Sequence, residues 1–250
     1  MVPVKEAVSR ILEGLKATGT ERIPLGDGLN RILAADVIAT IDLPPFNHAT
    51  VDGFAIHHQD VQKASGGEAV PLRVVDTILA GSVTRKAVKP GISIRVMTGT
   101  PLPRGTHAVV KEEDISPAVN RTDLIQLHKP LTPRENVASA GADVKRGEVV
   151  LEKGTTLRSE GIGILASLGL RQVTVFRQPR VALLSTGSEL VDMNDRLKPG
   201  KIFASSFYLL LAKLQESGCI PMSLGIVEDD TKAIENRIRS ARDADAIITV

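Results

Sequence analysis

The sequence lacks the usual means of gripping nucleic acid, holding zinc or crossing a membrane. Aromatic side chains are only 2% of its 250 residues, with no Trp, one Tyr and five Phe. Single-stranded nucleic acid is commonly held by bases stacked on aromatic platforms, and that mode is excluded. An excess of one charge is also missing: 31 basic against 29 acidic residues leave a net charge of +2, too little for a broad cationic field. The lone Cys219 excludes an internal disulfide framework and any Cys-rich zinc site. Five histidines stand at no ligand spacing, and His57-His58 are expected on opposite faces of a strand. The longest apolar runs, such as Phe207–Ala212, fall far short of the ~20 residues of a membrane-spanning helix. Lys5, Glu6 and Arg10 interrupt the first apolar repeat, so the start does not read as a signal peptide. Together these absences predict a soluble, cytoplasmic protein with neither a nucleic-acid nor a membrane partner.

What remains is an ordinary globular composition, 42% hydrophobic and 24% charged, long enough for more than one domain. Val4, Ala7, Val8, Ile11, Leu12 and Leu15 recur at helical spacing, with Gly19 beyond the end. A helical or extended stretch over 29–41 runs into Pro44-Pro45, where a helix cannot continue. From there to about residue 140, short β-like runs (72–78, 92–97, 108–111 and 124–127) alternate with Gly, Pro, Ser and Asn, the pattern of a small β-barrel or sandwich. Mixed structure returns over 141–178, with a strand at 149–151, a turn at 154–157, and a helix capped by Ser159 and closed by Gly169. The last seventy or so residues alternate strand (180–184), helix (206–217), strand (221–227), helix (231–242) and strand (245–250), which predicts βαβ units in a parallel sheet. Two helices do not cover such a sheet on both faces, and the sequence stops in the third strand, so this reads as a domain cut short. The expected organisation is an elongated mixed segment (1–45 and 141–177), a β-barrel lobe (46–140) and the start of an α/β domain (178–250).

Parallel sheets bind ligands in the loops at their strands' carboxyl ends. Two such loops are present: Ser185-Thr186-Gly187-Ser188-Glu189 and Glu228-Asp229-Asp230. Hydroxyls and amides in a Gly turn suit a phosphate or oxyanion, and carboxylates nearby suit Mg²⁺. Ordinary helix capping explains the same residue types equally well. Asp52-Gly53 between apolar residues, and Thr98-Gly99-Thr100-Pro101 after a strand, likewise fit either tight turns or a site. Gly161-Ile162-Gly163 follows a polar segment instead of a strand, so it reads as a small-faced helix and not a dinucleotide loop.

Taken together and in order, these segments resemble one family. Pro44-Pro45-Phe46 with Val51-Asp52-Gly53-Phe54-Ala55, Arg95 to Pro103 with Ala108-Val109-Val110, Gly141-Ala142-Asp143-Val144, Ser185 to Leu190, and Leu224 to Asp230 are similar to the signatures of the molybdopterin molybdenumtransferases (gephyrin E-domain-like). The resemblance implies an enzyme of molybdenum-cofactor biosynthesis. It takes molybdate and adenylylated molybdopterin as substrates, inserts the metal into the dithiolene and releases AMP with the help of Mg²⁺. It implies an α/β domain with a pterin–nucleotide site and a β-barrel lobe that supplies catalytic Asp52 and Thr98 from the partner subunit of an elongated homodimer. Ser185, Thr186, Gly187 and Asp143 are then cofactor-binding, and Glu189 and Asp230 are metal-facing. The molybdopterin adenylyltransferase is implied as a protein partner.

The sequence departs from the family pattern at several positions. Asn47-His48-Ala49-Thr50-Val51 replaces the usual acidic or hydroxyl pattern, with Thr50 standing in for a serine. Ala138 and Ala142 stand where the family has Arg and Glu, and Ala204 and Ser206 where it has Asp and Asn. Beyond Ile247-Ile248-Thr249-Val250 the family continues into a Gly-Gly loop, further strands and a small β-domain, so catalysis is expected of the complete protein. Two alternatives stay open: a non-catalytic molybdopterin-binding or scaffold relative, and a tungstate-using homologue.

Overall fold

The computed structural model describes residues 2–118 and 121–250. Its helices are α1 (Val4–Gly14), α2 (His58–Ser65), α3 (Ser159–Ser167), α4 (Ser205–Glu216) and α5 (Thr231–Ser240). Among the described residues, no helix is long and apolar enough to cross a membrane. The chain divides into two compact units: one runs to Asp36 and resumes over Leu151–Val250, and the other is Val37–Val150. The fold is multi-lobed, of α/β plus β class.

The Val37–Val150 unit is built on a six-stranded sheet. In order it runs Ala108–Lys111, Gly53–Ile56, Ile92–Val96, Val70–Ile78, Arg121–Leu127 and Ile115–Ala118. Only the Val70–Ile78 and Ile92–Val96 pair is parallel. Six strands laid flat would hold their edges about 24 Å apart. The two edge strands here are consecutive in the chain, joined only by the turn Glu112–Asp114, which reaches roughly 13 Å. The sheet must therefore curl until its edges approach, as a nearly closed barrel does. Alternation along each strand buries both faces: Phe54, Ile56, Leu72, Val110 and Leu127 pack beneath Val61 and Ala64 of α2, while Ala55, Ile94, Val96 and Val109 pack with Ile78 and Val88. His57-His58 belong to no strand. His57 caps α2, its Nδ1 accepting from the Gln59 N–H at 3.3 Å, and His58 opens the helix.

In the other unit the expected parallel sheet is present. Arg180–Thr186 is its central strand, parallel to Ile220–Val227 on one side and Ala246–Thr249 on the other. The incomplete cover expected of two helices takes a particular form, with one helix on each face and the outer strand left partly uncovered. Ala182 and Leu184 pack toward Ile234 of α5, and Leu183 packs toward Phe207, Leu211 and Leu214 of α4. One helix lies on each face of the central strand. On the outer strand, Ile247 and Ile248 remain 40% and 36% exposed. Thr20–Pro24 pairs antiparallel with Gln172–Phe176. Residues 154–157 leave a turn at Gly154 and reach a bridge between Ile32 and Thr156. Ser159 begins α3 without capping it: the residue at the cap is Arg158, with no side-chain hydrogen bond. Gly169, with φ of 74°, closes that helix as expected. Gly161 brings α3 close to Leu151 and Leu157, in keeping with the small-faced packing expected there. α1 forms as its spacing predicts, yet it buries none of its residues, and Val8, Ile11, Leu12 and Leu15 stay exposed.

Candidate functional site

In the β lobe, Asp52 occupies a bend immediately before the Gly53–Ile56 strand. The backbone there approaches a neighbouring strand so closely that a Cβ on Gly53 would lie 2.0 Å from the Val110 carbonyl oxygen. Glycine at 53 is thus required by close packing, and Asp52 is delivered at the strand's exposed end. Its carboxylate does not serve a local turn. Oδ1 accepts from the Thr98 N–H at 2.7 Å and from the Thr98 hydroxyl at 2.8 Å, across 46 residues of sequence. These two bonds, the N–H first, hold the Asp52 carboxyl below its ordinary range, with the charge of Arg95 adding to them. The Arg95 guanidinium is itself paired with Glu112 at 2.7 Å, and the Glu112 N–H donates to the Asp52 carbonyl at 3.2 Å. Thr98 is presented by a turn in which Gly99, at φ of 78°, donates to the Ala49 carbonyl at 2.8 Å.

The loop from Leu43 to Asp52 is pinned along its length. Asn47 Oδ1 accepts from the Ala140 N–H at 2.9 Å, and the Thr50 N–H donates to Asn136. Asp143 is tethered at the far end of this loop, its N–H donating to the Leu43 carbonyl at 2.9 Å. The structure thus brings Asp52 and Thr98 into contact and fixes Asp143 to the same loop through its backbone. Asn47 was missed as a tether; its place in the sequence gives no sign of a partner 93 residues away.

In the α/β unit the two loops do leave neighbouring parallel strands, with Thr186 in register with Val227. Ser185 is buried within its strand, and Gly187 begins the turn, its N–H donating to the Val227 carbonyl at 3.1 Å. The bare Gly187 backbone lets the Glu189 carboxylate fold back over the turn: a Cβ at 187 would stand 2.7 Å from Glu189 Oε2. Asp229, not Asp230, faces the Ser188 loop. Its Oδ2 accepts from the Ser188 N–H at 3.3 Å, and its own N–H reaches the Ser188 hydroxyl at 3.4 Å. Asp230 caps α5, with Oδ1 accepting from the Ala233 N–H at 2.8 Å. Lys201, outside every motif, donates its ammonium to the Ser188 carbonyl. The parallel pairing of Leu190–Val191 with Ile202–Phe203 brings it there, which no spacing in the sequence announces.

No three His, Cys, Asp or Glu among the described residues are placed to form a metal centre of their own. The oxygen donors of Glu189 and Asp230 do suit Mg²⁺, which commonly takes one or two protein carboxylates and completes its shell with water and substrate phosphate. With the Gly187 N–H taken by the Val227 carbonyl, the Ser188 hydroxyl and the Lys201 ammonium keep donors for an anion beside them.

Residues 2–169 match the family described as "MoeA N-terminal region (domain I and II)", and residues 182–250 match "Probable molybdopterin binding domain". The chain is 37% identical over 252 residues to a molybdopterin molybdenumtransferase of Staphylococcus aureus, covering 99% of this chain and 59% of that protein. It is 37% identical over 250 residues to one of Staphylococcus epidermidis, with the same two coverages. A solved structure of the molybdopterin biosynthesis MoeA protein from Pyrococcus horikoshii superimposes with a TM-score of 0.91 at 34% identity, over 100% of this chain and 66% of that one. The chain spans 59% of the length of these curated relatives.

Proposed function

The chain belongs to the MoeA family, and from that membership we propose that the complete protein inserts molybdenum into adenylylated molybdopterin and releases AMP. The observation that carries this reading is the Asp52–Thr98 pair: an exposed carboxylate, held in its charged form by a donor pair on a distant loop, in a segment rigid enough to aim it. A preorganised charge of this kind acts where charge develops in a reaction without reorganising at that moment.

On this reading Asp52 and Thr98 are the catalytic residues. Thr98 points its hydroxyl proton at Asp52, which leaves the hydroxyl oxygen free to accept from substrate. Ser185, Thr186, Gly187 and Asp143 are cofactor-binding. Thr186 and Gly187 orient the pterin–nucleotide through the turn, and Ser185, being buried, supports the strand beneath them. Glu189 and Asp230 hold Mg²⁺, which when bound neutralises charge on the phosphoanhydride. Asp229 keeps the Ser188 loop in place.

The organisation proposed is an elongated mixed segment (1–45 and 141–177), a lobe at 46–140 and an α/β domain from 178. We further propose a cytoplasmic homodimer, supported by the exposed apolar stripe of α1, and the molybdopterin adenylyltransferase as a partner delivering substrate. Light scattering that gives a monomer mass at micromolar concentration would count against the dimer.

The test is AMP release by the complete protein supplied with adenylylated molybdopterin and molybdate. Release that requires both molybdate and Mg²⁺ is expected, and tungstate in place of molybdate separates the two oxyanions. A folded protein that binds adenylylated molybdopterin but releases no AMP would instead be a binding or scaffold relative. The departures from the family pattern at Ala138, Ala142, Ala204 and Ser206 are what favour that second reading.

A further inference from the structure

The β lobe carries a second concave site unconnected with the Asp52 loop. Arg73, Arg85, Lys86 and Lys89 line a cavity of about 570 Å³ whose floor is Val75, Ala87 and Ile92. Its walls are built by the fold. Along Val70–Ile78 the alternation that buries Val70 and Leu72 turns Arg73 outward. The register of this strand against Ile92–Val96 slips between Val74 and Thr77, and the Lys86 ammonium donates to the Val75 carbonyl there at 2.6 Å.

The loop that follows is stapled back onto the strand. The Thr84 hydroxyl donates to Asp76 Oδ2 at 2.6 Å, the Lys86 N–H donates to Thr84 Oγ1 at 3.1 Å, and the Val88 N–H donates to the Arg104 carbonyl at 2.8 Å. A tight turn from Lys89 to Ile92 closes the other side, with the Arg73 N–H bonded to the Gly91 carbonyl at 2.9 Å. Arg85 and Lys89 thereby stand on segments tied to the Arg73 strand, and all three line the same cavity.

The charges do not balance. Among the described residues Asp76 is the carboxylate bonded into this loop, and it is already taken by the Thr84 hydroxyl, the Thr77 N–H and Lys86 at 3.7 Å. Arg73, Arg85 and Lys89 make no ion pair among the described residues. Three unpaired cations around an apolar floor focus a positive potential into the cavity. Two guanidiniums present paired N–H donors that match phosphate oxygens, and an ammonium adds a point charge. A single phosphate answers fewer cations than line the cleft.

We propose that this cleft binds a small molecule through two or more linked phosphoryl groups, with Arg73 and Arg85 as its fork donors and Lys89 as the third cation. The inference is independent of the proposed molybdenum chemistry, whose phosphate-facing turn lies in the other compact unit.

The test is an NMR titration of the ¹⁵N-labelled full chain with inorganic pyrophosphate, following the amides of Arg73, Ala87 and Ile92. Saturable shifts at these three are expected, weakening as salt is raised. Apparent affinity is expected to fall about tenfold or more in Arg73→Gln/Arg85→Gln, a charge-assisted pair of contacts being lost. Lys63→Gln on α2 serves as the control and should bind unchanged. The proposal fails if these amides do not move at millimolar pyrophosphate while Gly187 and Ser188 do. It fails equally if the double variant saturates like the parent, or if a poly-glutamate peptide moves these amides where pyrophosphate does not, which would make the cleft a dock for acidic protein.

Discussion

Asp230 offers the sharpest separation of structural from chemical duty, because its two oxygens do different things. Oδ1 caps α5 through the Ala233 N–H, while Oδ2 accepts no hydrogen bond among the described residues. Asparagine retains a side-chain oxygen and is about as good a cap as aspartate, so Asp230→Asn should leave the helix intact. Alanine removes the cap at a cost of about 1 kcal/mol. In a chain of this size that lowers the melting temperature by roughly 2–4 °C. If Oδ2 also holds Mg²⁺, the charge matters independently of the cap. Asp230→Asn should then keep its melting temperature but lose roughly a hundredfold in AMP release, with the Mg²⁺ requirement moved to higher concentration. Asp230→Ala should show both losses. Parallel thermal melts and Mg²⁺ titrations of AMP release on the complete protein decide it. An Asp230→Asn protein with parental turnover and parental Mg²⁺ dependence would refute the metal role and leave Asp230 a cap alone.

Three further outcomes follow from the geometry. Gly53→Ala drives a Cβ into the Val110 carbonyl and must separate the Gly53–Ile56 and Ala108–Lys111 strands, so the variant should melt well below the parent, with loss of amide-exchange protection at Val109 and Val110. Leu183→Ala empties a fully buried position against α4 and should cost about 2–5 kcal/mol in urea unfolding. Hydrogen bonds from Arg177, then from the Arg180 N–H, depress the Asp245 carboxyl to about 2. A carboxyl depressed on folding contributes stability that is present above its unfolded value, near 4, and is lost as pH falls through its folded value. The acid-unfolding curve should therefore steepen between pH 4 and pH 2 in the parent more than in Asp245→Asn.

The α/β half was legible because each of its elements carries its own period. Val181 to Leu184 is a continuous apolar run, and α4 and α5 repeat at three and four. The β lobe was legible as short strands but not in its closure, since strand order depends on pairing partners far apart in sequence. Thr20–Pro24 with Gln172–Phe176 shows why some pairs escape notice. The first strand is polar and ends in proline, and its partner lies some 150 residues on. α2 hid behind Gln59, Asp60, Gln62 and Lys63, with only Asp60, Val61 and Ala64 buried, and its cap is a histidine instead of Ser, Thr, Asp or Asn. In the candidate site, residue types gave Asp52 and Thr98 separately, and family resemblance joined them. The geometry adds what types alone do not hold: Asp229, not Asp230, spans the two loops, and Lys201 arrives from a strand pair outside every motif.

The central claim rests on the charge of Asp52, and one measurement addresses it: the rate of AMP release by the complete protein carrying Asp52→Asn, under saturating molybdate and adenylylated molybdopterin. Asparagine keeps an oxygen for the Thr98 N–H and hydroxyl, so the loop and the melting temperature should be retained. The account predicts a loss of roughly a hundredfold or more in turnover with substrate binding intact. Near-parental turnover in a folded Asp52→Asn protein would contradict it.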